Sequence, residues 1–184
     1  MNTKVILLCT ALLATLASGC ITAEVSDPAI CVNQANISFP GAPIVGLQGE
    51  TQQSFEMDIS SQLSQLDVGG ATTDGSSVNL SSVTLTADTG VTNFNFITTL
   101  KGTVLSEANV SLAPELVIDY SNSTGTGAAS PLNIPADSTI NLFPILSAGK
   151  AKVTLDVSGT VPNTAWTADV TVCFTIDLKL KKTL

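Results

Sequence analysis

From Trp166 to Leu180 the chain alternates apolar and polar residues without a break. Trp166, Ala168, Val170, Val172, Phe174, Ile176, Leu178 and Leu180 fall on one side, and Asp169, Thr171, Cys173, Thr175, Asp177 and Lys179 on the other. Successive side chains of a strand point to opposite faces, so this two-residue period means a strand with one face buried and one wet. Shorter runs repeat the pattern. Ala35, Ile37 and Phe39 share a face up to Pro40-Gly41, Phe55, Met57 and Ile59 alternate with Glu56 and Asp58, and Val83, Leu85 and Ala87 alternate with Thr84 and Thr86. Leu116, Ile118 and Tyr120 follow, then Val153, Leu155 and Val157. Turn-forming clusters at 69–77 and 122–130 separate these runs. Phe94 to Leu100 and Leu142 to Ser147 break the alternation and predict single helical turns, too short to be stable alone. The expected fold is all-β: an antiparallel β-sandwich, immunoglobulin-like, of about seven or eight strands, with a closed β-barrel as the alternative.

Composition narrows what such a domain can do. Only 12% of residues are charged, about half the usual ~25%. Ser, Thr, Asn and Gln take their place, a mix that suits exposed strand faces and argues against disorder. The net charge is -8, with seven lysines, no arginine and no histidine. Nucleic-acid binding needs clustered basic residues to neutralise phosphates, so no nucleic-acid partner is expected. The one basic cluster, Lys179, Lys181 and Lys182, reads as a solvated strand end. Without histidine there is no Ser-His-Asp or Cys-His machinery and no histidine-ligated zinc.

The first twenty residues, MNTKVILLCTALLATLASGC, follow a different logic. Lys4 supplies a positive start, Val5 to Leu16 is almost unbroken apolar sequence, and small residues precede a cysteine. This is the layout of a secretory signal, shorter than the about 20 apolar residues of a spanning helix. Ala17-Ser18-Gly19-Cys20 resembles the lipobox of bacterial lipoproteins. Ala17 departs from that family's usual Leu, while Ser18, Gly19 and Cys20 match. The resemblance implies cleavage before Cys20, a lipid on its thiol, and a membrane as partner. Ile21 rather than Asp after the cysteine leans toward the outer membrane of a Gram-negative envelope. Ordinary secretion is the alternative, since Ala17 and Gly19 also satisfy a small-x-small cleavage rule. The chain then divides into a signal peptide (1–19), a lipidated tether (20–30) and the sandwich domain (31–184).

Cys9 leaves with the leader and Cys20 carries lipid, so Cys31 and Cys173 are the thiols that remain. In an oxidising compartment they are expected to pair. The alternative is two separate buried thiols. Cys173 lies on the polar side of its strand, which puts the bridge outside the main core.

No constellation points to chemistry. Glu56 and Asp58 share a strand face, where solvation is the ordinary fate of paired carboxylates. Asp67 and Asp74, with glycines between, lack EF-hand spacing. Inside the domain, away from its C-terminal cluster, the basic residues are Lys101, Lys150 and Lys152, read as no part of a Ser-Lys dyad. Gly125-Thr126-Gly127 lacks the rest of a dinucleotide fingerprint, and Trp166 and Tyr120 fall on core faces. No catalytic residue, metal or cofactor is assigned. The sequence is read as a non-catalytic envelope lipoprotein that binds an unidentified protein or supports envelope or surface structure. A carrier or sensor of an apolar lipid is the alternative and predicts a sizeable cavity beside small residues such as Ala87 and Ala168. An enzyme working without histidine comes third.

Overall fold

The structure is a computed structural model that describes residues 20–41, 49–59, 75–124, 126–147 and 150–183, with the backbone alone over 20–29 and 180–183. Eight strands lie among the described residues: β1 (Cys20–Phe39), β2 (Gly49–Asp58), β3 (Ser77–Ala87), β4 (Ile97–Ser106), β5 (Glu115–Ser121), β6 (Leu132–Pro135), β7 (Lys150–Gly159) and β8 (Trp166–Thr183). One helical turn, α1 (Phe143–Leu146), precedes β7.

The pairing is nested. β1 pairs with β8, β2 with β7, β3 with β6 and β4 with β5, all antiparallel. The chain is thus one long ribbon folded at the β4–β5 turn. Further pairing of β3 with β8 and of β4 with β7 rolls that ribbon into two four-stranded sheets, β1-β8-β3-β6 and β2-β7-β4-β5. Apart from β4 to β5, each connection crosses from one sheet to the other. This is the winding of a jelly roll. The expected antiparallel sandwich and its strand number are present and the barrel is not, since the sheets remain separate. The strand order departs from the immunoglobulin arrangement, because a nested ribbon puts the first and last strands side by side.

The alternation read from the sequence is what fills the space between the sheets. In β8, Trp166, Ala168, Val170, Val172, Phe174, Ile176 and Leu178 are all buried. They face Val153, Leu155 and Val157 of β7 and Leu100 and Val104 of β4, also buried. Removing such side chains from water stabilises the fold by about 1.5–3 kcal/mol each. The void between the sheets, bounded by Met57, Leu80, Val104, Leu155 and Phe174 among others, is about 10 Å³, barely room for one water. Ala168 is fully buried and Ala87 half-buried against the core, and neither borders that void. At one end Trp166 stacks on Phe39, with ring centroids 4.1 Å apart and planes 6° from parallel. Phe94 and Phe96 meet the indole edge-on at 6.2 and 5.3 Å, the arrangement that aromatic quadrupoles favour.

Two local readings change and a third holds. The tether at 21–29 is strand backbone: Ile21 pairs with Lys182, Ala23 with Leu180 and Val25 with Leu178. The two-residue period of Ile21, Ala23 and Val25 continues that of β1, and Pro28, which cannot donate to the ladder, falls in the register shift between Asp27 and Ile30. The helical turn expected at Phe94 to Leu100 is only a tight turn, Ile97 N–H donating to Phe94 O at 2.9 Å. From Ile97 onward the chain is β4. The turn expected at Leu142 to Ser147 does form, as α1.

Beyond Asp177, the last residue of β8 that pairs with β3, the β1–β8 pairing continues to Cys20 opposite Thr183. Cys20 thus stands at the end of a two-stranded ribbon. Farther along β1 a second register shift, between Gln34 and Ile37, places Asn36 at φ 57°. Its N–H donates to Asp169 Oδ1 at 2.8 Å, and Asn tolerates that left-handed backbone better than most residues.

Candidate functional site

The outer face of the second sheet carries the most organised group of polar side chains. With Leu100, Gly102 and Val104 of β4 and Val153, Leu155 and Val157 of β7 turned inward, Thr99, Lys101, Asp156 and Ser158 turn outward. Register then aligns them across the strands. Gln52 of β2 lies opposite Asp156 of β7, Asp156 opposite Lys101 of β4, and Lys101 opposite Asp119 of β5. The next row runs Glu50, Ser158, Thr99 and Ser121.

These rows line a groove of about 570 Å³ bounded by Glu50, Gln52, Thr99, Lys101, Asp156 and Ser158. Gln52 Nε2 donates to Asp156 Oδ1 at 2.6 Å, which fixes the carboxylate at the groove. The β2 wall is tied down from behind by buried Thr51, whose Oγ1 donates to Pro40 O at 2.9 Å. Lys101 lies between two carboxylates, and opposite charges across strands attract. The groove thus presents two carboxylates, an ammonium, an amide and two hydroxyls. Such a surface hydrogen-bonds a polar ligand. It offers no activated nucleophile and no buried acid–base pair.

The residues singled out from the sequence are distributed as follows. Cys31 and Cys173 are bonded, with S–S 2.07 Å and α-carbons 4.0 Å apart. Cys31 is exposed and Cys173 half-buried, so the bridge lies on the outer face of the first sheet. Cys20 begins β1. The leader, Met1 to Gly19, lies outside the described residues, as do Asp67, Asp74 and Gly125. Glu56 faces Lys152 and Asp58 faces Lys150 on the wet side of β2 and β7, an ordinary cross-strand charge pattern. Trp166 is core and Tyr120 half-buried. Among the described residues no group of three or more Cys, Asp or Glu is placed to hold a metal ion.

Ser147-Ala148-Gly149-Lys150 does have Ser-x-x-Lys spacing, so spacing alone does not set Lys150 apart from a dyad. A Ser-Lys dyad on that spacing needs both residues on one helix face, a turn apart. Here Ser147 caps the C-terminus of α1 and donates to Pro144 O at 3.4 Å, while Lys150 is already in β7 opposite Asp58. A carboxyl held below its usual range is Asp137, in the turn before α1: the Thr139 hydroxyl donates to it, and so does the Thr139 N–H. It is not among the groove residues, and both its donors belong to its own turn.

Gln52 and Asp156 were not singled out from the sequence, and Lys101 was named there only as no part of a dyad. Each falls on the wet phase of its strand, which is a visible signal. What joins them is register, and register between strands about a hundred residues apart has no local signature.

No protein-family model matches the chain, and no curated protein is similar to it in sequence. A solved structure described as "Structural basis for the promiscuous specificity of the carbohydrate-binding modules from the beta-sandwich super family" is similar at a TM-score of 0.34 and 9% identity, covering 91% of this chain. The chain spans 58% of the length of that one. A likeness this loose says nothing of what the chain binds.

Proposed function

We propose that the protein is a lipid-anchored, non-catalytic binding module of the cell envelope, at the outer membrane, and that it engages a polar partner along the outer face of β2, β7 and β4. The partner is another protein or other envelope material. The groove carries this reading: a row of hydrogen-bonding side chains, with Asp156 pre-set by Gln52, on a rigid sheet. A binding face needs no more than placed donors and acceptors on a stiff scaffold. The anchor rests on Ala17-Ser18-Gly19-Cys20, and the described strands all lie from Cys20 onward. A carrier of apolar ligands fits less well, because the space between the sheets is filled by side chains.

Site-specific photocrosslinking in intact cells tests the binding face. A photoreactive residue at Glu50, exposed at the groove, should trap a discrete partner, and the same residue at Thr86, exposed on the first sheet, should not. Identical adducts from both positions, or none from Glu50, would count against the groove.

A further inference from the structure

Six lysines and fifteen carboxylates lie from residue 20 onward, so the processed chain is strongly acidic. Three of the six lysines sit within four residues at the end of β8. The register puts them beside the anchor: Lys179 opposite Glu24, Lys181 opposite Thr22, Lys182 opposite Ile21, and Thr183 opposite Cys20. The three pairs nearest the anchor hold two lysines and no acidic side chain.

We infer that this end of the β1–β8 ribbon is a second membrane contact, at which Lys181 and Lys182, with Lys179 behind them, meet the anionic headgroups of the bilayer that holds Cys20. The inference rests on the anchor proposed above. An antiparallel strand rises about 3.4 Å per residue. Lys182 and Lys181 therefore stand about 3 and 7 Å along the ribbon from the Cys20 pair, and Lys179 about 14 Å. The Debye length at physiological ionic strength is about 8 Å, so the first two lysines lie within one screening length of the headgroups and the third beyond it. An acidic body would otherwise be repelled from an anionic surface. The lysines reverse the sign of the field only where the chain enters the membrane, and so hold the ribbon upright with the sandwich outward. The lysines thus add an electrostatic contribution to the hold of the lipid on Cys20.

The test uses the chain from residue 20 on, which holds all eight strands, with one fourteen-carbon chain coupled to the Cys20 thiol while Cys31 and Cys173 stay bonded. Partition is measured onto phosphatidylcholine vesicles with and without phosphatidylglycerol. Each lysine within reach is worth about fivefold. Phosphatidylglycerol should therefore raise partition by about tenfold or more, and added salt should remove the gain. K179Q/K181Q/K182Q should lose it, while K150Q/K152Q, in β7, should keep it. Equal partition onto both vesicles, or equal loss in both variants, would overturn the inference. Intact Trp166 fluorescence in each variant confirms that the fold is unchanged. Palmitate labelling of the full chain in cells is read separately: an unlabelled wild type refutes the anchor without touching the vesicle result.

Discussion

Cys31 and Cys173 lie directly opposite one another on β1 and β8, 142 residues apart in sequence and bonded through their sulfurs. Because the two strands are the outer pair of the nested ribbon, this bond closes nearly the whole domain into one loop. In the chain-entropy model a loop of that length restricts the unfolded state by ~5 kcal/mol. Urea unfolding of the C31A/C173A variant should show a loss of that order at most, with the β1–β8 ladder still present in the folded state. Thiol titration of the unfolded, unreduced chain from residue 20 should find only Cys20 free. Titration of Cys31 or Cys173 as well would contradict the bridge.

The position of that bridge was legible in advance. Cys173 falls on the Thr171 and Thr175 side of β8, away from Val172 and Phe174, and the disulfide is on the wet face. The same phase argument located the core of β3, β7 and β8, because burial on one face imposes the period wherever a strand is long enough to show it. It failed at Ile97 to Leu100, where Phe94 and Phe96 extend the apolar run past the turn, and at Ile21 to Val25, where Pro28 and a mostly polar neighbourhood hid a short alternation. The strand order was not legible at all, since pairing β1 with β8 depends on contacts that no local window contains. The groove is hidden for the same reason: Gln52, Lys101 and Asp156 are individually ordinary surface residues.

Gly159 is a backbone requirement. It ends β7 at φ 151°, opposite Ile97 and against the Phe96 carbonyl, which accepts from Thr160 N–H at 2.9 Å. A Cβ there would run into the Phe96 oxygen itself. Neither backbone can withdraw without breaking that bond, so Gly159→Ala should cost ~3 kcal/mol or more, at the upper end of overpacking penalties. Thermal or urea unfolding would measure it. Gly127→Ala is a control for the left-handed backbone alone: Gly127 has φ 79° and nothing within 4 Å of the added Cβ, and its cost should be ~1–2 kcal/mol.

Cys20→Ala should yield a chain that is neither labelled by a palmitate analogue nor retained in the membrane fraction. The thiol is the only group at that position able to take the thioether-linked lipid, and the lysines of β8 are too few to hold an acidic body on a membrane without it. Labelling of the variant equal to wild type would remove Cys20 from the anchor.

The groove makes the sharpest prediction, because its charge and its hydrogen bonding can be separated at one residue. Asp156 is held by Gln52 and lies between Gln52 and Lys101 in the row. Asp156→Asn keeps an oxygen for Gln52 and removes the charge; Asp156→Ala removes both. The side chain is only half-buried, so both variants should stay within ~1 kcal/mol of wild-type stability. A hydrogen bond to a charged acceptor contributes about 1.5–3 kcal/mol and one to a neutral acceptor about 0.5–1.5. If the partner donates to Asp156, crosslinking from a photoreactive residue at Glu50 should therefore fall by about tenfold or more in the alanine variant and by less in the asparagine variant. Lys101→Met should act in the same direction as Asp156→Ala, while Glu56→Gln, outside the groove, should leave the adduct unchanged. Equal adduct yields across the Asp156 series would show that the partner does not engage this row, and would send the search for the binding face to the loops and the edge strands.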